Sequence, residues 1–186
     1  MKNLLLTFLM FVTLNTFSQS STWIPVVVEE GKDMEYLAFE KNWMSINKAL
    51  IDAGYRTGWS VWKRTPKDGD DGWAQYYVVV GNNDEMQLSQ EEWAPFMQKA
   101  LGKSQRAISK MMDGSGIIAE ARPLQISWVG GTVYAGSSIK PGDKMYFHYM
   151  TQQNENFEEL ELNVWQPISE EQILEGTRKF WGLAKV

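Results

Sequence analysis

Trp23-Ile24-Pro25-Val26-Val27-Val28, the bridge Glu29-Glu30-Gly31-Lys32 and the segment from Asp33 to Ala53 decide the fold of this chain. The first six residues are a compact apolar run rich in Val, closed by acidic residues and a glycine, and predict a strand. From Asp33 onward Tyr36, Phe39, Trp43, Ile46 and Leu50 recur at intervals of three and four, the stripe of an amphipathic helix. Gly54 stands where a C′ glycine ends such a helix.

Beyond it, Trp59, Val61 and Trp62 with Lys63 and Arg64 predict a second strand, and Ala74 to Val80 a third. Thr65-Pro66-Lys67-Asp68-Gly69-Asp70-Asp71-Gly72 between them is turn chemistry, so the two strands should form a hairpin. Ser89 and Glu92 match a capping box with Leu88 and Trp93 as its hydrophobic staple. Pro95 either bends the first turn or moves the helix start to Ala94. From there Phe96, Met97, Ala100, Leu101, Ala107, Ile108, Met111 and Met112 carry one apolar stripe to a stop at Gly114-Ser115-Gly116. Trp23 to Met112 therefore reads β-α-β-β-α, five elements of a ferredoxin-like unit. Either Leu124–Val129 or Thr132–Ala135 would close its sheet, and both stay open at this point.

The 186 residues carry 18 Lys and Arg against 23 Asp and Glu, a formal charge of −5. That balance argues against a nucleic-acid partner, which needs a cationic surface to displace counterions. No Cys is present, which excludes thiol nucleophiles, Cys-ligated zinc and iron–sulfur clusters, and a single His excludes a site built on several imidazoles. Lys2, the apolar run Leu4 to Val12 and the small Ser18 read as a secretory signal peptide cut near Ser18-Gln19. The expectation is an exported protein, periplasmic or extracellular, with no membrane association after cleavage.

Set against itself at an offset of 122, the chain aligns Trp43 with Trp165, Ile51 with Ile173, Gly54 with Gly176, Arg56 with Arg178 and Trp59 with Trp181. The same offset places Ile24 to Val28 opposite Tyr146 to Met150, and the first helix opposite Glu155 to Glu175, so strand, helix, glycine and strand recur in one order. Pro167 interrupts the second helix, which should kink or restart after Trp165, with Ser169 and Gln172 as a further capping box. The domain reading is a signal peptide over 1–18, a ferredoxin-like unit over 19–122, a connecting strand or linker over 123–143 and a partial second unit over 144–186.

Gly31-Lys32-Asp33-Met34-Glu35-Tyr36 leading to Trp43, Trp165-Gln166-Pro167-Ile168 and the strand start Gly58-Trp59 resemble uncharacterised secreted bacterial proteins related to the dimeric α+β barrel superfamily. The resemblance covers Trp23 to Met112 and again Lys144 to Val186. It departs at Met44-Ser45-Ile46, where the second copy has Gln166-Pro167-Ile168, and in a second copy that reaches only the beginning of its second strand at Val186. It implies an α+β fold of ferredoxin-like units that pair, by self-association or internally, with sheets face to face as in a dimeric α+β barrel. It also implies a ligand space between those sheets, where some relatives bind haem or oxidise small aromatic molecules.

His148 lies on an alternating run that puts Tyr146, His148 and Met150 on one face, so it is the candidate ligand for such a haem; its plain reading is a structural histidine. The tryptophans invite stacking on sugars, yet Trp43, Trp93 and Trp165 fall on helix stripes where packing explains them. Trp59 and Trp62 have opposite strand parity, so one of them must leave the helix-covered face. The binding candidates are His148, Trp59, Trp62, Trp73, Trp128 and Tyr146, with no catalytic residue and no metal ligand assigned. Asp68 to Gly72 looks like a calcium loop, but its twelfth position is Val79. Gly114 to Ala119 fits G-x-G-x-x-A after a helix instead of a strand, and reads as a helix stop. Lys99, Lys103, Arg106 and Lys110 form a basic line read as a solvated face. Glu158, Glu159, Glu161, Glu170 and Glu171 supply carboxylates with no readable separation. The leading expectation is non-catalytic binding of a small ligand or partner between paired sheets. The alternatives are a haem-handling or oxygenase-like enzyme, and a structural or assembly subunit.

Overall fold

The computed structural model describes residues 20–67, 69, 72–133 and 139–186. The expected signal peptide and Asp68, Asp70 and Asp71 of the acidic turn lie outside them. The chain divides into two units, one from Gln19 to Ser127 and one from Trp128 to Lys185.

In the first unit, β1 (Ser20–Val28) is followed by α1 (Asp33–Asp52), β2 (Arg56–Lys63), β3 (Tyr76–Asn82), α2 (Gln90–Leu101), α3 (Gln105–Met111) and β4 (Ile118–Ala121), with β5 (Leu124–Val133) running out of it. β1 pairs antiparallel with β3 on one edge and with β4 and β5 on the other, and β2 pairs antiparallel with β3. The β-α-β-β-α-β order with β1 between β3 and β4 resembles a ferredoxin-like unit. The sheet is open. Among the described residues β2 has β3 as its sole neighbour and β6 has β5, so the expected α+β barrel is not formed. A barrel requires every strand edge to meet another, whereas β2 is built as an edge, with a register break at Gly58 and Lys63 at its end.

From Glu120 onward β4 and β5 keep one register against β1, Ala121 opposite Val26 and Leu124 opposite Trp23, after a shift that sets Ile118 opposite Val28. They are one strand interrupted opposite Pro25. The Arg122 amide donates to the Pro25 carbonyl at 3.2 Å, but proline has no N–H to return to Arg122. The closing strand is thus Ile118–Val133, which contains the expected Leu124–Val129 and begins earlier. The continuous stripe expected to Met112 breaks into α2 and α3, because Gly102 takes a left-handed φ of 61° and the Ser104 hydroxyl accepts from the Ala107 amide to start a new helix. Pro95 lies inside α2, which Ser89 and Glu92 cap reciprocally.

Val26, Val28, Tyr36, Phe39, Tyr76, Val78 and Val80 form the core between sheet and α1, and Ile46, Leu50, Met97 and Ile108 a second cluster among the helices. Glu40 is buried in that face at 7% exposure. Burial raises its carboxyl above the ordinary range, and the Tyr36 hydroxyl one turn earlier pulls only partly the other way.

In the second unit, α4 (Phe157–Leu160) leads through a π-helical turn (Glu161–Trp165) into α5 (Gln166–Leu174) and β6 (Phe180–Lys185), which neighbours β5. The helix does not restart after Trp165 but runs on through the π-helical turn, in which the Gln166 amide bonds to the Glu161 carbonyl, with Pro167 following at once in α5. Ser169 does not cap; it is buried and accepts from Arg178. The expected strand over 145–150 is not formed: these residues adopt no regular secondary structure.

What does recur at the offset of 122 is the helix end. Gly54 and Gly176 take φ of 83° and 76°. The amides of Ala53, Gly54 and Tyr55 bond to the carbonyls of Ala49, Ile51 and Leu50, and those of Glu175, Gly176 and Thr177 to Glu171, Ile173 and Gln172. Arg56 donates to the buried Asn47 and Arg178 to the buried Ser169.

Because Glu40 has a folded pKa above its unfolded value, its cost to stability is absent below the unfolded carboxylate range and grows as pH rises through the folded value. Glu40→Gln should therefore stabilise the protein by about 1 kcal/mol at neutral pH and leave it unchanged near pH ~4. Thermal unfolding of both proteins across that range checks this.

Candidate functional site

Alternation along β1 and β3 aims Thr22, Ile24, Val26 and Val28, and Tyr76, Val78, Val80 and Asn82, at the helix-covered face. Toward one end of that face the apolar series gives way to Thr22 and Asn82, and Gln125 stands opposite Thr22 on β5. These three are bonded to one another. The Asn82 amide donates to Ser20 Oγ at 3.2 Å and to Thr22 Oγ1 at 3.1 Å, and Thr22 Oγ1 donates to Gln125 Oε1 at 3.2 Å. With both Asn82 N–H groups engaged, its Oδ1 remains an acceptor, and the Gln125 amide nitrogen remains a donor.

This polar row borders a cleft of about 300 Å³, at the lower end of the roughly 300–1,000 Å³ typical of small-ligand sites. Leu50 at the end of α1, Leu88 and Trp93 at the start of α2, and Tyr55 supply its apolar wall. Tyr55 is fixed by an edge-on contact with Phe96, ring centroids 5.3 Å apart at 79°. Arg56, Asn83 and Gln87 complete the lining. Asn83 is anchored by donating to the Gly54 carbonyl at 2.7 Å, so the helix end and the end of β3 are tied together at the mouth. Burial pulls the Arg56 guanidinium below its ordinary value without discharging it. Its partner is the neutral Asn47 amide, which leaves further N–H donors.

No carboxylate or imidazole lines the cleft. Among the described residues no group of three or more His, Asp or Glu side chains is placed to hold a metal ion. A second polar cluster, at α1's other end, joins Asp33 to the Tyr76 hydroxyl at 2.5 Å and to Lys63 at 3.3 Å. The Tyr76 and Lys63 bonds hold the Asp33 carboxyl below its ordinary range.

The sequence candidates fall elsewhere. Trp59 packs on the core and Trp62 lies on the opposite sheet face, its indole N–H donating to Ser60 at 2.8 Å. Trp73 is 39% exposed, with the Arg122 guanidinium 4.6 Å from its ring centroid. In the second unit Trp128 packs edge-on against Phe180 at 5.8 Å, while Tyr146 and His148 lie in the exposed irregular segment. None of the six lines the cleft. Thr22, Arg56, Asn82 and Gln125 were not singled out for binding. The available signal was phase: Thr22 and Asn82 occupy the inward parity of otherwise apolar strands.

No family model matches the sequence, and no curated protein matches it. Among solved structures the chain is similar to a dimeric ferredoxin-like protein of unknown function from Thermobifida fusca, with 8% identity, a TM-score of 0.36, and coverage of 59% of this chain and 90% of that chain. No helix among the described residues is long and apolar enough to cross a membrane.

Asn82→Ala removes two donors and leaves the hydroxyls of Ser20 and Thr22 only their bonds to Asp84 and Gln125, and should cost about 1–2 kcal/mol. Gln125→Ala, which removes one acceptor at an exposed position, should cost less than about 0.5 kcal/mol. Urea unfolding of the two variants checks this order.

Proposed function

We propose that the protein is an exported, non-catalytic binding protein whose cleft takes a small polyhydroxylated ligand of the sugar class. The observation that carries this reading is the pairing of a free acceptor on Asn82 with a free donor on Gln125, set beside the aromatic wall of Trp93 and Tyr55. Neighbouring hydroxyls on a sugar each donate and accept, so such a pair can engage two of them, while the apolar face of the ring lies on an indole. Arg56 adds donors that suit a hydroxyl or a ring carboxylate. The lining offers no general acid or base of the carboxylate or imidazole kind, which favours binding over bond cleavage. Export rests on the apolar N-terminal run after Lys2. The ligand place moves from between paired sheets to the helix side of one open sheet.

Saturation-transfer NMR with glucose, galactose, N-acetylglucosamine and glucuronate should reveal at least one ligand with a Kd of about 1 mM or tighter. Trp93→Ala and Gln125→Ala should each weaken it about tenfold or more. No transfer from any of the four, or binding that survives both substitutions, overturns the reading.

A further inference from the structure

The helical segment of the second unit carries an exposed apolar stripe. Leu160, Val164 and Ile168, spaced by four, are 51%, 46% and 40% exposed, and Trp165 beside them is 54% exposed. At the offset of 122, Trp165 and Ile168 correspond to Trp43 and Ile46. Ile46 is fully buried, because Met97 of α2 and Ile108 of α3 pack against it, and Trp43 packs on the same cluster. The same positions are therefore helix-covered in one unit and bare in the other.

The segment that carries the stripe bears charge of one sign. Between Met145 and Thr177 there are seven glutamates and no Lys or Arg, a formal −7 in a chain whose total is −5, so the rest of the molecule is slightly basic. Glu158 is paired with Lys185 at 2.5 Å, and Glu170 accepts from Gln166 at 3.1 Å. Glu159, Glu161, Glu171 and Glu175 take part in no ion pair among the described residues.

We propose that this face docks a basic amphipathic helix of a partner protein. Its apolar residues at i, i+3, i+4 and i+7 would cover Leu160, Val164, Trp165 and Ile168, and its flanking Lys and Arg would meet the glutamates. A second copy of this face would set like charge against like charge, and the basic line Lys99, Lys103, Arg106 and Lys110 of a second copy offers charge without apolar cover. An anionic lipid surface is repelled by the same glutamates.

Fluorescence anisotropy of the full chain tests this with a labelled leucine–lysine amphipathic peptide of about 15 residues and its leucine–glutamate counterpart. The basic peptide should bind at least about tenfold tighter, and more weakly as ionic strength rises from about 0.05 to about 0.5 M. Val164→Asp and Ile168→Asp should each lower its affinity about tenfold. Glu171→Lys, an exposed change that leaves the stripe intact, should lower it about threefold. Equal binding of the two peptides, no binding, or binding unchanged in Ile168→Asp and Glu171→Lys overturns the proposal. So does concentration-dependent dimerisation by light scattering that Ile168→Asp abolishes, since a second copy would then be the occupant.

Discussion

β1 must be hydrogen-bonded along both edges, and the first unit is arranged around that requirement. Its two edges are taken by β3 and by the interrupted strand β4–β5. Because β3 occupies the place beside β1, β2 lands one strand further out, and α1 has to cross the sheet to reach it. α2 and α3 make the second crossing from β3 to β4, and both crossings bury their apolar faces on Val26, Val28, Val78 and Val80 or on each other. Pro25 in this central strand is the one concession: a single ladder bond is lost opposite Arg122, and the partner strand breaks there instead of shifting register.

The parts legible in the sequence were those written in side-chain periodicity. The stripe Tyr36, Phe39, Trp43, Ile46, Leu50 and the stop at Gly54 mark α1, and the Val-rich runs mark β1 and β3. Backbone events without a side-chain period were not legible. The α2–α3 break depends on Gly102 turning left-handed while the apolar stripe continues past it. β4 is four residues long and follows the glycine-rich stop. The aromatic run over 145–150 has strand composition but adopts no regular structure, since β-propensity is decided by context as much as by composition. The barrel came from a resemblance to proteins whose sheets pair, and sheet closure depends on strand edges, which carry no pattern. For the cleft, Thr22 and Asn82 lie just outside the strands expected over Trp23–Val28 and Ala74–Val80; only register brings both together with Gln125.

The two helix ends separate scaffold from site. Arg56 lines the cleft, but its bond to Asn47 has a counterpart in the bond of Arg178 to Ser169. The shared role of these arginines is to tie a buried polar residue near the helix end to the strand that follows, which fixes the angle between helix and strand. What the first unit adds is the entry into α2, which brings Leu88 and Trp93 against the end of α1. The covering helices thus complete the core and raise one wall of the cleft in the same step.

That comparison also bears on the bare stripe. Where a helix position is partly exposed, polar substitution is the ordinary response, and it is seen at Gln172, which stands in the place of the fully buried Leu50. Trp165 and Ile168 have not followed, and Val164 and Leu160 are apolar where the first unit has Asn42 and Ala38. Four half-exposed apolar side chains, one of them a tryptophan, stand on this stripe, and clustered exposed apolar surface is what contact sites present. Seven glutamates with no Lys or Arg over the same stretch oppose chance self-association through that surface. Apolar where it needs a cover, acidic where it needs to refuse the wrong one, the segment has the chemistry of a selective docking face.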